Sequence, residues 1–167
     1  LVAYDAQTGD ELWRKGEHQV SYASPMIATI GGVRQIVVVC ESQICGHDAG
    51  SGDQLWEYEW SGSSSGNASC SQPIDVGNSR MLFSKGYAQG ASLVEIKEQG
   101  GAWSVEERWS SSRVLRTKFT NAVTHEGYVY ALNDGIFSCV EVETGKQKWK
   151  RGRYGHGQVL KTNSGLL

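Results

Sequence analysis

Apolar residues in this chain come in runs of about five, with the period-two alternation of half-buried strands, and Gly, Asn and Asp punctuate them. The clearest stretch starts at Thr120-Asn121-Ala122-Val123-Thr124 and turns at His125-Glu126-Gly127. It continues as Tyr128-Val129-Tyr130-Ala131-Leu132 and turns at Asn133-Asp134-Gly135, residue types that tolerate positive φ. Ile136 to Val142 and Gln147-Lys148-Trp149-Lys150 follow, separated by Thr144-Gly145. The same order fits 24–28, 35–40, 43–47 and 54–58, and again 72–75, 80–84, 91–96 and a strand from Trp103 to Trp109. No segment has the period of an amphipathic helix.

A phrase marks the end of each four-strand set. Asp5-Ala6-Gln7-Thr8-Gly9-Asp10-Glu11-Leu12-Trp13 recurs as Asp48-Ala49-Gly50-Ser51-Gly52-Asp53-Gln54-Leu55-Trp56 and as Glu141-Val142-Glu143-Thr144-Gly145-Lys146-Gln147-Lys148-Trp149. Trp13 and Trp56 are 43 residues apart, and Trp56 and Trp149 are 93, two periods. The copy between them has Glu98-Gln99-Gly100-Gly101 as its turn, and either Trp103 or Trp109 fills its aromatic position. Four short antiparallel strands per period of about 45 residues describe a propeller blade. The expected fold is all-β, a β-propeller of four-stranded antiparallel blades. The 21 Gly and 2 Pro agree with many turns and few broken ladders.

The expected units are the end of a blade over 1–18, blades over 19–60, 61–112 and 113–153, and the start of another over 154–167. The chain opens on a third strand, Leu1 to Tyr4, and closes after a first-strand-like segment, His156 to Leu160. It therefore reads as an incomplete propeller, whose remaining blades would be its first partners. An open propeller leaves blade faces and strand edges uncovered.

The Asp-Ala-x-Thr-Gly-x-x-x-Trp phrase resembles the tryptophan-docking repeat of quinoprotein-type, PQQ-like propellers. These include pyrroloquinoline quinone (PQQ) dependent alcohol dehydrogenases and the assembly lipoprotein BamB. The segments 116–121 and 152–158 also look like bacterial secreted PQQ-repeat proteins. The resemblance covers essentially the whole chain and implies a periplasmic or other extracytoplasmic location. Gly9, Gly52 and Gly145 are expected to make the turns, the acidic residue to accept turn N–H groups, and Trp13, Trp56 and Trp149 to dock between blades.

The dehydrogenases of this family hold PQQ and Ca²⁺ against adjacent cysteines, with converging Asp, Glu and Asn. Ca²⁺ takes six to eight oxygens. Cys40, Cys45, Cys70 and Cys139 include no adjacent pair, and the family's catalytic context is missing. No cofactor is expected, with PQQ and calcium as the alternative in a dehydrogenase whose site lies in other blades. Cys40 and Cys45 sit across a short loop, as a cross-hairpin disulfide or as free thiols. Metal-finger spacing is absent, His18, His47, His125 and His156 fall at unrelated points of the repeats, and no metal is expected.

Net charge is −2 and uneven: residues 1–107 carry −8 and residues 108–167 carry +6. Arg113, Arg116, Lys118, Lys150, Arg151 and Arg153 cluster around two connections expected to cross the propeller face. They are either solvated loop charges or a rim for an anionic ligand or a protein segment. Candidate rim residues are Arg116, Lys118, Asn121, Arg153, Tyr154, His156 and Gln158, with Tyr22, Ser24 and Gln72 at comparable positions of other blades. No nucleic-acid motif accompanies the charge, and no apolar run has membrane-spanning length. The function expected is a non-catalytic binding or scaffold module. A sensor module fused to another domain is a further alternative.

Overall fold

The computed structural model describes residues 1–63 and 65–167. Strands β1 (Val2–Tyr4) and β2 (Glu11–Arg14) form a two-stranded sheet. The next sheet holds β3 (Met26–Ile30), β4 (Val33–Val39), β5 (Gln43–Asp48) and β6 (Gln54–Glu59). A third holds β7 (Ile74–Gly77), β8 (Arg80–Lys85), β9 (Gly90–Gln99) and β10 (Ala102–Ser111). The last holds β11 (Val123–His125), β12 (Tyr128–Asn133), β13 (Ile136–Glu141) and β14 (Gln147–Arg153). Every sheet runs in chain order and is antiparallel throughout. The described residues form an incomplete β-propeller, with three four-stranded blades and a two-stranded part of another. Among the described residues no helix is long and apolar enough to cross a membrane.

Two-residue turns set the register. Asn78-Ser79, Glu126-Gly127 and Asp134-Gly135 each have both φ values positive and sit between consecutive strands. That is the geometry of a type I′ hairpin, whose twist matches the strands it joins.

Both faces of a middle blade are buried, so its inner strands read as continuous apolar runs rather than clean alternation. On β8, Met81 and Phe83 pack with Val37, Val39, Ile44 and Trp56 of the preceding blade. Leu82, between them, packs with Leu93 of its own sheet, with Leu115 of the connection after β10, and with Val129 and Val140 of the following blade. Each such side chain contributes about 1.5–3 kcal/mol of burial, so blade-to-blade contact is the core of this fold.

Several sequence expectations need correction. Residues 156–160 form no strand, because no neighbouring strand pairs with them. The chain instead folds back, with Leu160 and Leu167 exchanging backbone hydrogen bonds of 2.8 Å. First strands begin later than expected, at Met26, Ile74 and Val123, so Ser24, Gln72 and Asn121 lie in connections. β14 extends to Arg153, which places Lys150, Arg151 and Arg153 on an exposed edge strand rather than in a connection. β9 and β10 are ten residues each, which pushes the Gly100-Gly101 turn outward.

Candidate functional site

The connection from Val114 to Ala122 is the hub of the candidate rim. Leu115 and Phe119 hold left-handed φ values of 52° and 58°, uncommon for bulky side chains. Leu115 is buried in the core between blades while Phe119 is 55% exposed. The strained path thus buries one apolar side chain and turns the next outward.

Four neighbouring segments meet this connection. The Arg116 backbone N–H donates to Asn133 Oδ1 at 2.9 Å, and Arg116 Nε donates to the Ser112 carbonyl at 2.7 Å. The Arg116 guanidinium also reaches Asp134 at 3.4 Å. The Lys118 ammonium lies 4.4 Å above the Tyr87 ring. Asn121 Oδ1 accepts the Gln72 backbone N–H at 2.9 Å. His156 meets Phe119 edge-on, and Gln158 Nε2 donates to the Phe119 carbonyl at 2.7 Å. Arg153 pairs with Ile136 at the end of β14, and the Tyr154 N–H donates to the Gly135 carbonyl at 2.7 Å. Arg116, Arg153 and Tyr154 therefore flank one turn, while Lys118, Asn121, His156 and Gln158 line the connection. In the earlier blade the Tyr22 N–H donates to the Ser69 carbonyl, a contact of the same kind.

Beneath these residues runs a buried hydroxyl chain that the sequence did not single out. Ser71 Oγ donates to the Thr120 carbonyl at 2.7 Å and lies 2.7 Å from Thr117 Oγ1, and Ser84 Oγ joins Thr117 Oγ1 at 2.7 Å. Lys85, fully buried, donates to the Ser61 carbonyl at 2.7 Å. Burial pulls its ammonium below the usual lysine range, and nearby Cys70 partly offsets this. Burial also pushes the Cys70 thiol up. The available signal for Lys85 was a lysine two residues after the apolar run Met81-Leu82-Phe83.

At the opposite ends of the blades lie the repeated phrases. Asp5 Oδ1 accepts the N–H groups of Gln7 and Thr8, and Asp48 Oδ1 those of Gly50 and Ser51, all at 2.8–2.9 Å. These donors hold both carboxyls below the usual range. Glu141 instead accepts the Thr144 hydroxyl at 2.6 Å. Gly9, Gly52 and Gly145 have φ of 78°, 78° and 66°. A Cβ on Gly52 would stand 2.5 Å from the Trp13 ring, and one on Gly145 2.8 Å from Trp109. The Trp109 indole donates to the Val142 carbonyl at 2.8 Å. Trp109 thus occupies the aromatic position in the third copy, while Trp103 reaches back over Gly31. Trp56 finds no glycine turn ahead of it, because the long β9–β10 hairpin has displaced that turn. It is buried between blades with its indole donating to Gln35 Oε1 at 2.6 Å. Trp149 remains 37% exposed and leans on Phe137 and Tyr130 of its own sheet.

The family model described as "Outer membrane protein assembly factor BamB" matches residues 1–162. The chain belongs to this BamB-like family of PQQ-like repeats. The crystal structure of BamB from Moraxella catarrhalis aligns with a TM-score of 0.64 and 19% identity over 99% of this chain. At that identity the likeness speaks for the fold. The alignment covers 47% of that structure, so the chain spans about half its length. No curated protein matches the sequence.

Within this BamB-like chain the oxygens of Asn121, Asn133 and Asp134 do not fit a PQQ and calcium site. Asn121 Oδ1 holds Gln72, Asn133 is engaged by Arg116 and Arg113, and Asp134 faces Arg116. Each is spent on tying a connection to the neighbouring blade or turn. They do not converge as six to eight oxygens around an ion would require.

Proposed function

We propose that this BamB-like chain is part of a non-catalytic, extracytoplasmic propeller that serves as a scaffold for a protein segment or a small anionic ligand. The observation that carries this reading is how its polar groups are used. The amide and carboxylate groups around the 114–122 connection hold blades together, whereas cationic and aromatic groups face outward. Phe119, Tyr154, His156 and Arg153 are exposed around that connection. Among the described residues no ion pair engages Lys118 or Arg153. Such a surface suits an acidic segment, which meets positive charge and apolar rings without cost to buried pairs. The family's description as an outer-membrane assembly factor supports a protein partner outside the cytoplasm.

The test uses the full-length protein and a fluorescent polyglutamate peptide. Binding that weakens with salt, and weakens further in a Lys118→Ala/Arg153→Ala variant, is the expected result. Equal binding by the variant at low salt would refute the surface.

A further inference from the structure

We propose that His18, Cys45 and Glu57, with Cys40 beside them, form a binding site for a borderline divalent d-block cation, zinc being the best fit. The four residues come from three separate segments, and strand pairing assembles them. Cys45 and Glu57 are direct partners across β5 and β6. Val20 bridges to Cys40 and the Glu41 N–H donates to the Gln19 carbonyl, which lays the segment carrying His18 against the start of the Cys40–Cys45 hairpin. Alternation along the strands does the rest. Val37, Val39, Ile44 and Trp56 fill the core toward the following blade, so Val38, Cys40 and Cys45 fall on the opposite face. His18, Cys40 and His47 there border one cleft with Val20 and Val38.

One donor atom from each of His18, Cys45 and Glu57 lies within 4.8 Å of the other two. His18 Nε2 and Glu57 Oε2 are 3.9 Å apart. A tetrahedral zinc with bonds of about 2.0–2.3 Å separates its donors by about 3.3–3.8 Å. The His18 and Glu57 side chains are 36% and 52% exposed, so small rotamer changes close the remaining gap. Cys45 is fully buried and fixed in its strand, a rigid anchor for two movable partners. Cys40, at the other end of the short hairpin from Cys45, is buried beside it and is placed to become the fourth donor. A bound cation deprotonates a coordinating thiol outright, so the thiol protons leave as the metal arrives. Sulfur, imidazole and carboxylate together select zinc-like ions over calcium or magnesium, which prefer oxygen alone. A salt bridge alone accounts for His18 and Glu57, but not for two thiols beside them.

The experiment is titration of the reduced full-length protein with cobalt(II) as a zinc stand-in, followed by zinc displacement. The expected result is one cobalt per chain, with thiolate-to-cobalt charge-transfer absorption and the visible bands of a tetrahedral site. His18→Gln and Glu57→Gln, both at exposed positions that leave the fold intact, each weaken binding by at least about tenfold. Cys45→Ser abolishes the charge-transfer band, while Cys139→Ser, on the distant β13, leaves it unchanged. Binding unaffected by both His18→Gln and Glu57→Gln would overturn the proposal. So would mass spectrometry of protein isolated without reductant that finds a Cys40–Cys45 disulfide in place of metal.

Discussion

Trp56→Ala is the perturbation that most sharply tests blade-to-blade packing as the source of stability. The ring is buried at 4% exposure between two blades, among Val37, Ile44, Met81 and Val94. Truncating a buried aromatic to Ala costs about 3–5 kcal/mol. A second loss adds to it, since Gln35 is fully buried and its Oε1 accepts the Trp56 indole. An orphaned buried acceptor costs about 1–3 kcal/mol. The sum is a large part of the total stability of about 5–15 kcal/mol typical of a domain. With a urea slope of about 1–3 kcal/mol/M, the midpoint of the full-length protein should fall by about 1 M or more. Trp56→Phe separates the two terms, because it keeps most of the packing and orphans Gln35. Adding Gln35→Met to Trp56→Phe should recover part of that loss, since replacing both partners by apolar groups removes the unpaired acceptor. An unchanged midpoint for Trp56→Ala would refute the reasoning, and no recovery in the double variant would refute the hydrogen-bond part.

Gly52→Ala should cost about 1–3 kcal/mol more than Gly9→Ala by urea denaturation, since the two share φ but only Gly52 faces a tryptophan ring. Lys85 has a folded-state pKa lowered by burial, so the unfolded chain binds more protons as pH rises through that lowered value toward the ordinary lysine range. Wild-type stability should therefore rise with pH over that window, and Lys85→Met should remove the rise, as followed by denaturation at stepped pH. Asn121→Ala should destabilise by about 0.5–1.5 kcal/mol through loss of the Gln72 contact. Arg153→Ala should stay within about 0.5 kcal/mol, because the side chain is exposed.

The propeller was legible in the sequence because each blade repeats its instructions. Turn pairs such as Asp134-Gly135 state the hairpins, and the Thr8-Gly9 and Ser51-Gly52 phrases state the third-to-fourth strand turns. Strand ends were less legible. Asn121 and Gln72 looked like strand residues, yet their polar groups join one blade to the next, a contact that no local pattern encodes. The aromatic position in the third copy stayed open for the same reason. Trp103 and Trp109 share one strand, and only the neighbouring Gly145 distinguishes them. Arg116 illustrates what the rim reading could not include. Its charge suggested a ligand contact, and only the fold adds its ties to Asn133 and Asp134. Lys85, Ser71 and Thr117 became visible only when three segments distant in sequence closed on each other. His18, Cys45 and Glu57 were likewise scattered until strand pairing gathered them.

The most direct test of the non-catalytic reading is calorimetry of the full-length protein with PQQ in the presence of Ca²⁺, with dye-linked alcohol oxidation assayed on the same sample. The account predicts no binding heat at saturating PQQ and no oxidation above the blank. Stoichiometric PQQ binding with turnover would contradict it and make the protein a dehydrogenase whose active site lies in other blades.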